Sequence, residues 1–263
     1  MTANELFQAG KLAEATAAQI AKVKANPTDN RARMFLFELF LFAGDLDRAK
    51  KQLEALRYDK QEQLAALAHF RETLDAEAKR RAVFAGTVDP DSLSAPPDHV
   101  KLRLAALKAH AAGDAAKART LFTEAAAATP AVSASINGGP AGPLADADER
   151  FGTVLEVFGS GGAYAWVPLE SVASITLTPP TSPRDIFWRP ARILTKDGVD
   201  GDVLVAGLYP HTHLSADEEL KLGRATDWNP DYADLTVGVG GRLFQTGSGP
   251  IPLVTITDIT VGD

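Results

Sequence analysis

Gly10-Lys-Leu-Ala-Glu-Ala15, Gly44-Asp-Leu-Asp-Arg-Ala49 and Gly113-Asp-Ala-Ala-Lys-Ala118 repeat one pattern, a glycine followed five residues later by an alanine. The first two glycines stand 34 residues apart, and the third lies 69 further on, close to two such steps. Pro27 and Pro130 each follow their glycine by 17 residues. A 34-residue period, with small residues at helix crossings and a proline after the second helix, predicts tetratricopeptide-like helix pairs. The alanines have a physical task, since two helices approach closely only where side chains are short. The Trp and Tyr that usually open such repeats are absent, so the repeats are degenerate.

The residues around these copies support helices. Leu46, Ala49, Leu53 and Leu56 build one apolar stripe. Thr28-Asp29, Asp45 and Asp114 are placed to cap the helices that follow. Met34–Ala43, MFLFELFLFA, is apolar on almost every face, is interrupted by Glu38, and is too short to span a bilayer. It predicts a helix sandwiched in a stack. A smaller break falls at 89–97, DPDSLSAPP.

The periodicity changes after Pro130. Asn137-Gly-Gly-Pro-Ala-Gly-Pro143 predicts a linker or surface loop within 131–149. From Phe151 onward, β-branched and aromatic runs alternate with Gly, Pro and Asp: 153–158, 163–168, 172–178, 191–196, 203–208, 235–239 and 253–259. Asp197-Gly198 and Asp200-Gly201 suggest a hairpin, and Val254-Thr-Ile256-Thr alternates as a half-buried strand does. The expected fold class is α+β. A helical-repeat domain spans 1–130, and a mostly antiparallel, strongly bent sheet or open barrel spans 150–263. Its long connections, 179–188 and 209–228, are where non-core chemistry would sit.

Composition narrows the functional classes. The 45% hydrophobic and 23% charged fractions are those of a globular protein. Cysteine is absent, which removes disulfides, thiolate metal sites and a cysteine nucleophile. The opening MTANELFQAG has no apolar signal region, and the expected location is the cytoplasm. Residues 1–130 carry 19 basic and 17 acidic side chains, and residues 131–263 carry 8 and 17. The first half is near balance and the second repels nucleic acid and anionic membranes, so neither is an expected partner.

Few stretches look catalytic. His211-Thr-His213 before Asp217-Glu218-Glu219 is the one metal-like cluster, and it lacks fixed further ligands; a polar loop is the plainer reading. Gly159-Ser-Gly-Gly162 and Gly238-Val-Gly240-Gly241 lack the Lys-Ser/Thr of a phosphate loop. No catalytic residue, metal or cofactor is expected. Arg184, Asp185 and Trp188 in one segment, and Arg224, Asp227 and Trp228 in another, combine guanidinium, carboxylate and indole. With Tyr209 they form either a brace pinning loops to the sheet or a partner-binding surface.

Several motifs carry a resemblance across almost the whole chain. They include Leu12-Ala-Glu-Ala, Arg33-x-x-Leu36-Phe-Glu-Leu39, Asp148-Glu-Arg-Phe-Gly-Thr-Val-Leu-Glu156 and Tyr164-x-Trp-Val-Pro168. Pro183-Arg-Asp185, Trp188-x-Pro-Ala191, Leu208-Tyr-Pro210, Leu222-Gly-Arg224, Thr226-Asp-Trp228 and Gly238-Val-Gly240-x-Arg242 complete the set. In these the chain resembles the ImpE/TagJ family, also called SciE-type, accessory proteins of bacterial type VI secretion. The resemblance implies a non-enzymatic adaptor that binds a helical segment of the small subunit of the contractile sheath. It also implies a link to the ATPase that disassembles the sheath, and it brings no catalytic residues. The alternatives from other classes are a metal-dependent enzyme using His211 and His213, and a helical-repeat scaffold with a different partner.

Overall fold

The computed structural model describes residues 1–92, 94–229, 232 and 234–262. Its first half consists of α1 (Ala3–Gln8), α2 (Leu12–Ala25), α3 (Asn30–Phe42), α4 (Leu46–Ala55), α5 (Gln61–Phe84), α6 (Asp98–Ala111) and α7 (Ala115–Ala128). The glycine pattern marks the turns inside three helix pairs, α1/α2, α3/α4 and α6/α7. Gly10, Gly44 and Gly113 all have φ near +80°, and each turn repeats the same two backbone bonds. At the second turn these are Gly44 N–H to Leu41 O at 3.0 Å and Asp45 N–H to Phe40 O at 2.9 Å. This is a Schellman closure, which needs a residue free to enter the left-handed region. The pattern's alanines, Ala15, Ala49 and Ala118, are all fully buried at the helix crossings.

The long gap between the second and third copies is filled by α5, a single 24-residue helix. It ends at a fourth glycine turn, Gly86, which is followed five residues later by Asp91 and so falls outside the glycine–alanine pattern. The apolar helix α3 is enclosed on all sides as expected. Phe42 meets Phe187 edge-on at 5.7 Å, and Phe37 lies 6.4 Å from Trp188.

The second half is a ten-stranded sheet in the order β11-β10-β2-β1-β12-β5-β6-β7-β3-β4, with antiparallel neighbours throughout. Its strands are β1 (Ser133–Ile136), β2 (Gly142–Asp146), β3 (Val154–Phe158), β4 (Tyr164–Pro168), β5 (Val172–Leu177), β6 (Trp188–Thr195), β7 (Asp200–Ala206), β10 (Leu243–Thr246), β11 (Gly249–Pro252) and β12 (Asp258–Val261). The hairpin β8 (Thr226–Asn229) and β9 (Val237–Gly240) stands apart, and two short helices, α8 (Pro183–Phe187) and α9 (Glu218–Lys221), sit in the long connections. The sheet curls until its two ends share a core. Ala165 and Val167 of β4 join the same apolar cluster as Leu144 of β2 and Phe244 of β10.

Alternation along the strands explains the layering. In β3, Leu155 and Val157 point into the curled sheet, while Val154 and Phe158 join the cluster that contains the helices. Both faces are apolar because both are covered. The helix-side cluster runs without a break from Leu6 to Val237, so the helical half forms a lid over the outer face of the sheet.

Two expectations are corrected. The segment 131–149 is not a linker: it carries β1 and β2, and the Gly/Pro-rich stretch turns between them, with Asn137 at φ +52°. The residues 253–255 form a 3-10 turn rather than a strand. Leu253 and Ile256 are buried and Val254 is exposed, a spacing of three that follows the 3-10 period and not the strand period. The break at 89–97 does more than separate helices. Asp91 N–H donates to Tyr164 O at 2.7 Å, and Asp91 Oδ2 accepts from Tyr164 N at 3.0 Å, so this loop covers the β4 edge. Leu93 of that segment lies outside the described residues. At the opposite edge, β11 carries Pro250 and Pro252.

Candidate functional site

The α5–sheet interface holds a buried charge cluster assembled from residues far apart in sequence. Glu156 sits mid-strand in β3 and is fully buried. Its Oε1 accepts from Arg80 Nε at 2.7 Å and its Oε2 from Arg80 Nη2 at 3.0 Å. Arg242 Nη2 and the Tyr164 hydroxyl donate to the same carboxylate. Trp166 Nε1 donates to the Tyr164 oxygen at 2.8 Å, and Arg80 Nη2 also donates to Leu208 O at 2.8 Å. One carboxylate thus ties α5, β3, β4 and the strand-ending segment at Arg242. The guanidinium of Arg242 lies 4.5 Å from the Phe151 ring centre, which adds a cation–π contact in a dry setting.

Burial alone would push the Glu156 carboxyl up. Arg80 and Arg242 outweigh it and hold the group at about 2. Asp146 behaves oppositely. Burial pushes it up to about 7, against the pull of Arg242 at 3.4 Å. Its Oδ1 accepts from Tyr209 OH at 3.0 Å, and the same hydroxyl oxygen accepts from Leu243 N at 3.1 Å. Asp148 forms a second buried pair with Arg150 at 2.6 Å and accepts from Gly238 N at 2.8 Å, which fixes the β9 hairpin. The motif 148–156 therefore supplies Asp148, Arg150, Phe151 and Glu156 to one interface. Each oxygen of Glu156 is already taken by protein donors, so this cluster clamps the two layers.

A second set of contacts reads the helix-pair turns. Lys11 stands where Asp45 and Asp114 cap their helices, and it makes no side-chain cap. Glu218 from the β half takes that role, accepting from Ala13 N at 2.8 Å. Arg224 caps the other side of the turn, donating to Phe7 O at 2.6 Å and Gln8 O at 3.1 Å.

The residues singled out by sequence fall into two groups. Trp188 and Tyr209 are buried in the core. Arg184 bridges to the buried Glu38 of α3 at 2.6 Å, and Arg224 caps α1. Asp185 accepts at Oδ2 from Thr181 N, Thr181 Oγ1 and Ser182 N, all at 2.9 Å, which closes the start of α8. Asp227 and Trp228 reach solvent on the β8 strand, with Trp228 6.3 Å from Tyr209. Sequence reading missed Arg80, Asp146, Glu156 and Arg242. The available signal was a single acid inside the apolar run Val154-Leu-Glu-Val-Phe158.

His211 and His213 face the α3/α4 turn and the end of α5. The His211 ring lies edge-on to Phe84 at 6.2 Å, and His213 packs under Gly44. Burial first, then neighbouring arginines, lowers each to about 4, so both are neutral at pH 7. Among the described residues, no group of three or more His, Asp or Glu side chains is placed to hold a metal ion. Nor is any helix among them long and apolar enough to cross a membrane.

Two cavities flank α8. One, of about 640 Å³, is a groove between α5 and the sheet, lined by Phe70, Phe158, Trp188, Pro190 and Leu204, with Arg192 and Asp202 among the polar residues. The other, of about 600 Å³, lies on the opposite side of α8 and contains Arg189. Asp185 borders both.

Comparison with known proteins agrees with this architecture. The sequence model of the family described as "ImpE protein" matches residues 138–260. The type VI secretion system accessory component TagJ of Pseudomonas aeruginosa is 35% identical over 259 residues, covering 98% of this chain and 90% of its own. A crystal structure of a Vibrio parahaemolyticus protein superposes with a TM-score of 0.88 at 22% identity, covering 99% of this chain and 97% of that one, and so shares the fold. Full-length similarity to TagJ, together with the family match over the sheet, makes this chain a member of the ImpE/TagJ family of type VI secretion accessory proteins.

Proposed function

We propose that the protein is a non-enzymatic adaptor of the type VI machinery, acting in the cytoplasm, which binds a helical segment of the small contractile-sheath subunit. In this reading it also meets the ATPase that disassembles the sheath. The observation that carries the choice of surface is the groove of about 640 Å³ beside α8, with an aromatic floor and a rim of opposite charges. Such a groove suits the apolar face of an amphipathic helix, with rim charges setting its register. Arg184, Asp185 and Trp188 border this groove; Arg224, on the cavity beyond α8, with Asp227 and Trp228 on the adjoining β8, would be a second contact area.

The test is calorimetric titration of a peptide from the start of the small sheath subunit. Binding to the wild type, and its loss in Thr178→Trp, is the expected outcome. Thr178 is exposed and lines the groove, so an indole there fills it without disturbing the core. No heat at high micromolar peptide, or undiminished binding to the blocked variant, would refute the assignment. Trp228→Ala separates the two contact areas: weaker binding at unchanged melting temperature extends the surface to β8.

A further inference from the structure

The cavity on the far side of α8 contains an arginine that forms no ion pair among the described residues. Its volume is about 600 Å³, and Ile186, Leu222, Leu253 and Val254 give it apolar walls. Three guanidinium groups border it, from Arg189, Arg224 and Arg242. Two are engaged elsewhere. Arg242 lies against Glu156 and Asp146, and Arg224 caps α1 with Glu219 at 3.5 Å. Arg189 is only 2% exposed, yet its Nε and Nη1 have no hydrogen-bond partner, and Nη2 makes one long bond of 3.3 Å to Ile256 O. Among the described residues no carboxylate forms an ion pair with it. Asp185, the acid in the same wall, gives its Oδ2 to the start of α8.

A buried guanidinium with free donors is costly unless something completes it. We propose that this cavity binds an aliphatic carboxylate, the anion on Arg189 and the hydrocarbon against Leu222, Leu253 and Val254. Of the three guanidinium groups, Arg189 is the one without a carboxylate at ion-pair distance among the described residues, and one monoanion would supply it. A phosphate dianion would leave charge unmatched beside Asp185. The same chemistry has two sources: a free branched fatty acid, or an acidic side chain flanked by leucines on a partner peptide. The inference stands apart from the groove proposed for the sheath segment, which lies on the other side of α8; of the second contact area only Arg224 also borders this cavity.

The experiment is methyl-resolved NMR of the full chain with three probes: 4-methylpentanoate, its neutral amide, and acetyl-Leu-Glu-Leu-amide. Saturable shifts of the Leu222, Leu253 and Val254 methyls with the acid are expected if the ligand is a free acid, and with the peptide if it is a partner segment. The amide is expected to bind at least about tenfold more weakly, as is the acid or peptide in Arg189→Gln. Val254 is 42% exposed, so Val254→Asp places a repelling charge in the cavity wall with little risk to folding, and it weakens binding in the same way. Acid and amide binding alike, full binding by Arg189→Gln or Val254→Asp, or no methyl shift with acid or peptide at millimolar concentration would each overturn the proposal.

Discussion

Replacing Glu156 by glutamine tests whether the buried charge cluster holds the two layers together. The side chain keeps its size but loses its charge, and two buried guanidinium groups, Arg80 and Arg242, lose their shared counterion. Two independent routes give the magnitude. The carboxyl is held at about 2 against an ordinary 4.5, and that shift corresponds to about 3 kcal/mol of folding free energy at neutral pH. Breaking a buried ion pair by removing one member costs about 3–5 kcal/mol. For a chain of this size, 3–4 kcal/mol lowers the melting temperature by roughly 6–16 °C. Thermal and urea unfolding at pH 7.5, followed by circular dichroism, measure it directly. The sign with pH is also fixed. A depressed carboxyl gives stability that is present above 4.5 and lost as pH falls through about 2, so the acid limb of the wild-type profile should flatten in E156Q. A melting temperature within about 2 °C of wild type would mean that the cluster contributes nothing net, as some buried ion pairs do.

Asp146 should behave oppositely: raised to about 7, it contributes stability that is present below 3.8 and lost as pH rises through 7, so urea midpoints should fall between pH 5 and 8 in the wild type and much less in Asp146→Asn. Gly44→Ala and Gly113→Ala separate backbone strain from crowding. Both have positive φ, but a Cβ at Gly44 would lie 2.5 Å from His213 Cδ2, while at Gly113 nothing lies within 4 Å. Calorimetric unfolding is expected to show about 1 kcal/mol lost at Gly113 and about 3 kcal/mol at Gly44. Glu218→Ala removes a helix cap supplied from another part of the chain and should cost about 1 kcal/mol, with faster amide exchange at the start of α2 as its local signature.

The helical half was legible because its signals are local. A left-handed glycine, an Asp cap and a buried alanine all lie within six residues, as in Gly44-Asp45…Ala49. Strand positions were legible for the same reason wherever β-branched runs met a turn dipeptide. The misreadings share a cause. A Gly/Pro-rich stretch such as 137–143 looks alike whether it links domains or turns a hairpin, and the short β1–β2 pair is held in the sheet by β12, more than a hundred residues away. The resemblance motifs pointed to residues that matter, yet their roles were hidden. Arg224 and Glu218 serve helices at the other end of the chain. Glu156 needs Arg80 and Arg242 beside it before its burial makes sense. Arg189 could not be told from any surface arginine, because its burial with Nε and Nη1 unpartnered is a property of the folded cavity alone.

Both margins of the ten-stranded sheet are blunted, one by two prolines that offer no N–H, the other by the Asp91 loop bonded at Tyr164. An incoming extended chain would find the ladder interrupted there. Recognition through strand addition is therefore disfavoured at those margins, and so is the accidental self-templating that long sheet edges invite.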